Sequence, residues 1–94
     1  MAKWQYTIHG GKELREAIEN DELETVAQCL VTCIKELYSK LSDEDKAYEG
    51  YDLECLIDSV TADIDYGDFD EDEINDYLEE FYDICDDVQA WIEI

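Results

Sequence analysis

Residues 70–94 read DEDEINDYLEEFYDICDDVQAWIEI, and this stretch decides the fold. Ile74, Tyr77, Leu78, Phe81, Ile84, Cys85, Val88, Trp91 and Ile92 recur three and four positions apart, the period of a helix that buries one stripe. At about 100° of turn per residue, Asp72, Asp76, Glu79, Glu80, Asp83, Asp86 and Asp87 fall on the opposite side. The pattern predicts a last helix running from Asp70 almost to the chain end, with a core face inside and a rail of carboxylates outside.

The whole chain has 94 residues, the size of one domain with a modest core. Its formal net charge of −22 accompanies 46% hydrophobic and 12% aromatic residues. Chains this acidic are often too poor in apolar residues to fold, but here those residues are periodic, which predicts a folded protein. The charge is divided unequally. Residues 1–41 carry a net −2, and residues 42–94, where Lys46 is the one basic residue, carry −20. A near-neutral scaffold part thus precedes a strongly acidic part within a single domain. That sign argues against direct binding to nucleic acid or an anionic membrane and favours a basic protein surface as counterpart.

The first residues lack the basic and apolar segments of a signal peptide, and no stretch approaches the roughly 20 apolar residues of a membrane span, so the cytoplasm is the expected compartment. There Cys29, Cys33, Cys55 and Cys85 are expected to stay reduced. Their spacing matches no zinc pattern, and small buried hydrophobes is the simplest reading of them.

Working back to the start of the chain, Trp4, Tyr6 and Ile8 alternate with Lys3, Gln5, Thr7 and His9, predicting a short strand or extended arm that Gly10 and Gly11 end. Its partner could be the tail Ile92, Glu93 and Ile94, the same strand of a second copy in a homodimer, or the helical core itself. A short helix is expected over Lys12 to Glu19 with Leu14, Ala17 and Ile18 inward, and Asp21 with Glu24 resembles the start of the next. That second helix, Glu22 to Leu41, has the stripe Leu23, Val26, Ala27, Leu30, Ile34, Leu37 and Leu41 and a polar, mostly uncharged outer face, marking it as the structural spine. Ser42 and Asp45 form a capping-box pattern for a short turn or helix that Gly50 is expected to interrupt, and a third helix should cover Tyr51 to Asp63. Its core stripe is Leu53, Leu56, Ile57 and Val60. On its other side Tyr48, Tyr51, Cys55 and Ala62, with Asp58 beside them, either pack under a neighbour or form an aromatic patch ringed by acids. Asp65, Tyr66 and Gly67 make a turn, after which Asp68 or Asp70 caps the last helix. The expected fold class is mostly α: a bundle of three to four helices with a short N-terminal strand or arm.

No catalytic signature stands out. The single histidine, His9, lies beside a Gly-Gly turn, the four glycines form no phosphate loop, and a small bundle leaves little room for a sugar cleft between carboxylates. Asp68, Asp70, Asp72 and Glu79 match four ligand positions of a calcium loop, but Glu73 stands where that loop needs glycine. Neither an enzyme nor a metal or other cofactor is expected.

The rail itself is more informative. A helix from Asp70 to Glu93 is about 36 Å long and carries one acidic group per roughly 3.3 Å, against one phosphate per about 3.4 Å along a DNA strand. Asp52, Glu54, Asp58, Asp63 and Asp65 could supply a second row on the neighbouring helix, at a spacing comparable with a groove width. In its small size, extreme acidity and aromatics set among acids, the chain resembles DNA-mimic inhibitors encoded by phages and mobile elements, including anti-restriction and small anti-CRISPR proteins. The likeness is one of composition and charge layout over residues 42–94. It implies an inhibitor that fills the Lys/Arg groove of a basic nucleic-acid-binding protein, such as a nuclease. It further implies that Asp72, Asp76, Glu79, Glu80, Asp83, Asp86, Asp87, Asp58 and Glu54 face that groove, and that Tyr48, Tyr51, Tyr66 or Phe69 make stacking or arginine contacts at its edge. The competing expectation is an oligomeric scaffold protein that associates through Trp4, Trp91, Ile92 or Ile94.

Overall fold

The computed structural model describes residues 4–93. In chain order it contains strand β1 (Tyr6–Ile8), helices α1 (Gly11–Glu19), α2 (Leu23–Lys40), α3 (Asp43–Tyr66) and α4 (Glu71–Val88), and strand β2 (Ala90–Ile92). The mostly-α bundle expected from the periodicity is the fold observed. Helix α2 is its spine and packs against α1, α3, α4 and β1. Val26, Ala27, Leu30, Cys33, Ile34 and Leu37 of α2 are buried and meet Leu14 and Ala17 of α1, Leu53, Leu56 and Val60 of α3, and Ile74, Leu78, Phe81, Ile84 and Val88 of α4. Each buried Val, Leu, Ile or Phe among them contributes about 1.5–3 kcal/mol by leaving water, so the core is what holds a chain of this charge together. Among the described residues no helix is long and apolar enough to cross a membrane.

The last helix is shorter than its pattern predicts. Gln89 adopts a left-handed conformation (φ 58°) that stops α4 after Val88, and Trp91 and Ile92 extend the chain in β2 rather than the helical stripe. Trp91, which the period assigns to the core stripe, is 47% exposed, and of the two only Ile92 is partly buried, so the apolar rhythm outlasts the helix without continuing its buried face. β2 pairs in parallel with β1, Tyr6 opposite Ala90 and Ile8 opposite Ile92. The N-terminal strand therefore finds its partner within the chain. Ile94, expected in that pairing or in self-association, lies outside the described residues, as does Lys3 of the N-terminal alternation. Gly11 is buried under β2: a Cβ there would stand 2.3 Å from Ile92 Cγ2 and 2.5 Å from the Glu93 carbonyl oxygen, so only glycine lets the strand cross the start of α1.

Glu36 ties this junction to the spine. Its carboxylate accepts from the backbone N–H of His9 (2.8 Å) and Gly10 (3.2 Å) and pairs with Lys40 (2.8 Å), whose ammonium also reaches the Thr7 carbonyl (2.5 Å). Partial burial pushes the Glu36 carboxyl up, but Lys40 and the two N–H groups outweigh it and hold it below the usual carboxylate range.

Two other boundaries differ from expectation. Residue 21 does not cap α2. With φ 55° it terminates α1, where its N–H meets the Ile18 carbonyl (3.1 Å) and that of Glu22 meets the Ala17 carbonyl (3.2 Å), a paired closure of the helix end. Ile18, expected inward, is 37% exposed. Helix α3 is continuous from Asp43 to Tyr66, and Gly50 does not interrupt it. Gly50 is buried, and a Cβ there would stand 3.5 Å from Tyr38 and from Lys46, an ordinary contact, so the position does not demand glycine and the helix carries the roughly 1 kcal/mol that glycine costs mid-helix. Ser42 caps the helix, accepting from the Asp45 N–H (3.2 Å), while the Tyr6 hydroxyl accepts from the Ser42 N–H (3.1 Å) and donates to the Asp45 carboxylate.

Candidate functional site

Helix α4 begins where Asp70 accepts from the Asp72 N–H (2.9 Å), and acids in its first turn favour the positive end of the helix dipole. Beyond that turn Asp76, Glu79, Glu80, Asp83, Asp86 and Asp87 are exposed, as is Asp72, while the opposite stripe is buried. The rail is thus built as the sequence pattern predicts, but on 18 residues it is about 27 Å long, with one of these seven acids per roughly 3.9 Å. No cation neutralises it from within: the ion pairs among the described residues are His9–Glu93, Arg15–Glu19 and Lys40–Glu36. A solvated row without internal counterions is electrostatically costly for the fold and available to an external cationic surface.

The second row is only partly where the sequence places it. Helix α3 lies beside α4, and the Tyr77 hydroxyl of α4 stands 2.9 Å from Asp63 Oδ2 of α3 and 2.6 Å from Glu73 Oε1, its one proton serving two carboxylates. Burial first, then these two hydrogen bonds, hold that hydroxyl protonated well above the usual tyrosine range. Asp63 therefore adjoins the rail. Glu54 does not, because it accepts from the Tyr38 hydroxyl (2.8 Å) on the flank facing α2. Asp58 sits between these flanks on the exposed crest of α3. Phe69 is half-buried and packs against the core, so it is not a free stacking group. Tyr48, Tyr51 and Tyr66 are 74%, 75% and 85% exposed on the outer side of α3, so no neighbouring element covers that face. Cys55 is exposed there too and Cys29 is half-buried; only Cys33 and Cys85 are the buried hydrophobes expected, with burial as the main cause pushing both thiols up to about 12. All four are free thiols, and among the described residues no cluster of three or more His, Cys, Asp and Glu groups could hold a metal ion.

Glu49 is the residue that sequence patterning misses. It is 5% exposed and lies at the α3–α4 seam beside Asp87 and Asp52. Burial, then a hydrogen bond and charge from Asp87, then Asp52, push its carboxyl up to about 7. A signal is present in the spacing: Glu49, Leu53, Leu56 and Val60 share the core-facing period, and one of those four positions holds an acid. Its carboxyl thus sets the start of α3 against Asp87 at the end of α4, where the protonated form is favoured.

Elsewhere, a groove of about 290 Å³ opens between α1, α4 and β2, lined by Gly11, Leu14, Arg15, Ile18, Tyr82 and Ile92. It is largely apolar and contains neither a nucleophile nor a carboxylate. The arrangement with chemical reach is the pair of outward surfaces on α3 and α4, suited to recognising cations over a length of tens of ångströms. No protein family, curated protein or solved structure was found to match this chain.

Proposed function

We propose that this protein is an inhibitor that binds the basic, nucleic-acid-binding surface of another protein and blocks it by imitating a row of phosphates. The observation carrying this reading is the exposed file Asp72, Asp76, Glu79, Glu80, Asp83, Asp86 and Asp87 on one helix face, in no ion pair with a cation among the described residues. A groove built for duplex DNA places Lys and Arg to meet charges a few ångströms apart, and a rigid helix presents carboxylates at that spacing without the entropy cost of ordering a flexible acidic tail. Asp63 and Asp52 on the α4-facing side of α3 widen the acidic band. The proposed setting is the cytoplasm, with a nuclease or similar enzyme as target, as for a phage-encoded anti-CRISPR or anti-restriction protein.

The test is capture of a nucleic-acid-binding protein from host lysate followed by challenge with duplex DNA or RNA. The captured protein should be released by its own nucleic acid, and its activity should fall in proportion to the complex formed. Capture that nucleic acid cannot reverse contradicts the reading.

A second reading, self-association as a scaffold, draws on the partly exposed Trp91, whose ring lies 5.5 Å from that of Trp4 at the β1–β2 edge. Light scattering separates the two: an oligomer that disperses on Trp91→Ser supports self-association, and a monomer at high concentration excludes it.

A further inference from the structure

We propose that the outer face of α3 is an arginine-selective docking surface, resting on the reading of the protein as a binder of basic nucleic-acid-binding proteins and naming the partner group it selects. Tyr48, Tyr51 and Tyr66 stand outward on one side of α3 and span about 27 Å. Single exposed aromatics are ordinary, whereas three aligned on one uncovered helix face form a surface that loses apolar burial unless something covers it. Asp58 and Asp65 are exposed on the same helix, between the rings along the chain, and Asp52 lies at the edge of that face toward α4.

That combination restricts the occupant. Flat apolar groups stack on tyrosine, but a purely apolar partner leaves the interleaved carboxylates desolvated and unpaired. Nucleobases stack as well, yet they bring phosphates against a chain of net charge −22. A guanidinium satisfies both requirements, lying flat on a ring while its N–H groups fork onto a carboxylate. The chain contains a related contact of a cation with a tyrosine that itself meets a carboxylate. Lys46 Nζ lies 5.2 Å from the centre of the Tyr38 ring, and the Tyr38 hydroxyl donates to Glu54 (2.8 Å). The outer face repeats tyrosine with carboxylate but has no described cation of its own over the rings. Lysine, a compact and strongly hydrated charge, gains less there than arginine, so the surface discriminates between two residues that the rail of α4 treats as equal charges.

The experiment compares nine-residue peptides of arginine and of lysine by calorimetry at about 0.15 M salt. The wild-type protein should bind the arginine peptide at least about tenfold more tightly. Replacing Tyr48, Tyr51 and Tyr66 together by Phe keeps the ring faces and should keep the preference, whereas Leu at all three should reduce it to within about twofold. Circular dichroism checks that the variants fold, which the exposure of all three rings favours. Equal binding of the two peptides by the wild type, binding of neither, or a preference that survives the Leu variant overturns the proposal. The rail variant Asp76→Asn, Glu79→Gln, Asp83→Asn should weaken both peptides alike and leave their ratio intact. If it binds both with unchanged affinity while the Leu variant loses the preference, phosphate mimicry by α4 fails and the arginine surface stands.

Discussion

Helices α3 and α4 lie side by side and are both strongly acidic, yet they turn different surfaces outward. α4 segregates its residues cleanly, with a buried stripe from Ile74 to Val88 on one side and an unbroken rail of carboxylates on the other. α3 mixes them. An acid, Glu49, is buried in the seam, Glu54 turns to Tyr38 of α2, and the exposed crest holds three tyrosines among carboxylates. The difference teaches that acidity alone does not define a charged surface: on α4 the carboxylates from Asp76 to Asp86 form one solvated row, while on α3 Glu49, Glu54 and Asp63 each meet a particular neighbour.

The largest expected effect breaks the inner half of α4, on which the rail depends. Phe81→Ala empties a fully buried site and should cost about 3–5 kcal/mol in chemical denaturation, enough to lose the rail with the helix. Next comes the buried acid that distinguishes α3. Because the Glu49 carboxyl titrates higher in the folded protein than in the unfolded chain, its contribution to stability is complete below about pH 4.5 and is lost as the pH rises through about 7. Stability should therefore fall between pH 5 and 8, by on the order of 3 kcal/mol at most from this group. Glu49→Gln should flatten that dependence and be the more stable form at pH 8, as measured by denaturant titrations across the range; an unchanged pH slope in the variant refutes the role.

Tyr77→Phe removes the hydroxyl that joins Asp63 and Glu73 across the helices and should destabilise by about 1 kcal/mol, most visibly where both acids are charged. The smallest effect sharpens the contrast from the other side. Neutralising Asp76, Glu79 and Asp83 relieves repulsion on an exposed face and should raise the melting temperature by only a few degrees at low salt, a gain that vanishes near 1 M salt as screening tightens to about 3 Å. A large loss of stability instead would mean that these acids are structural.

The same contrast explains what a sequence can reveal. α4 is legible because its two faces follow one helical period, and the error at its C-terminus arises because Trp91 and Ile92 keep the apolar rhythm after Gln89 has turned the chain into a strand. α2, with its uninterrupted stripe, is legible for the same reason. α3 reads as two pieces because Gly50 carries a local cost of roughly 1 kcal/mol, which the buried stripe of Leu53, Leu56 and Val60 on the same helix outweighs only once it packs against the core. At the candidate site the rail acids can be named from spacing, whereas the placements of Glu54 and Phe69 depend on which flank of each helix meets a neighbour. Glu49 is hidden because an acid at a core position has meaning only once Asp87 stands opposite it.

The central claim is that the outer face of α4 acts as a row of phosphates. Its most direct measurement is the salt dependence of binding to a captured nucleic-acid-binding protein, compared between the wild type and the Asp76→Asn, Glu79→Gln, Asp83→Asn variant. Each carboxylate that takes the place of a phosphate contributes to the ionic part of binding, so the variant should bind about 100-fold more weakly at low salt and show a clearly shallower fall in log affinity with log salt. Equal affinity and equal slope for the two proteins would contradict it.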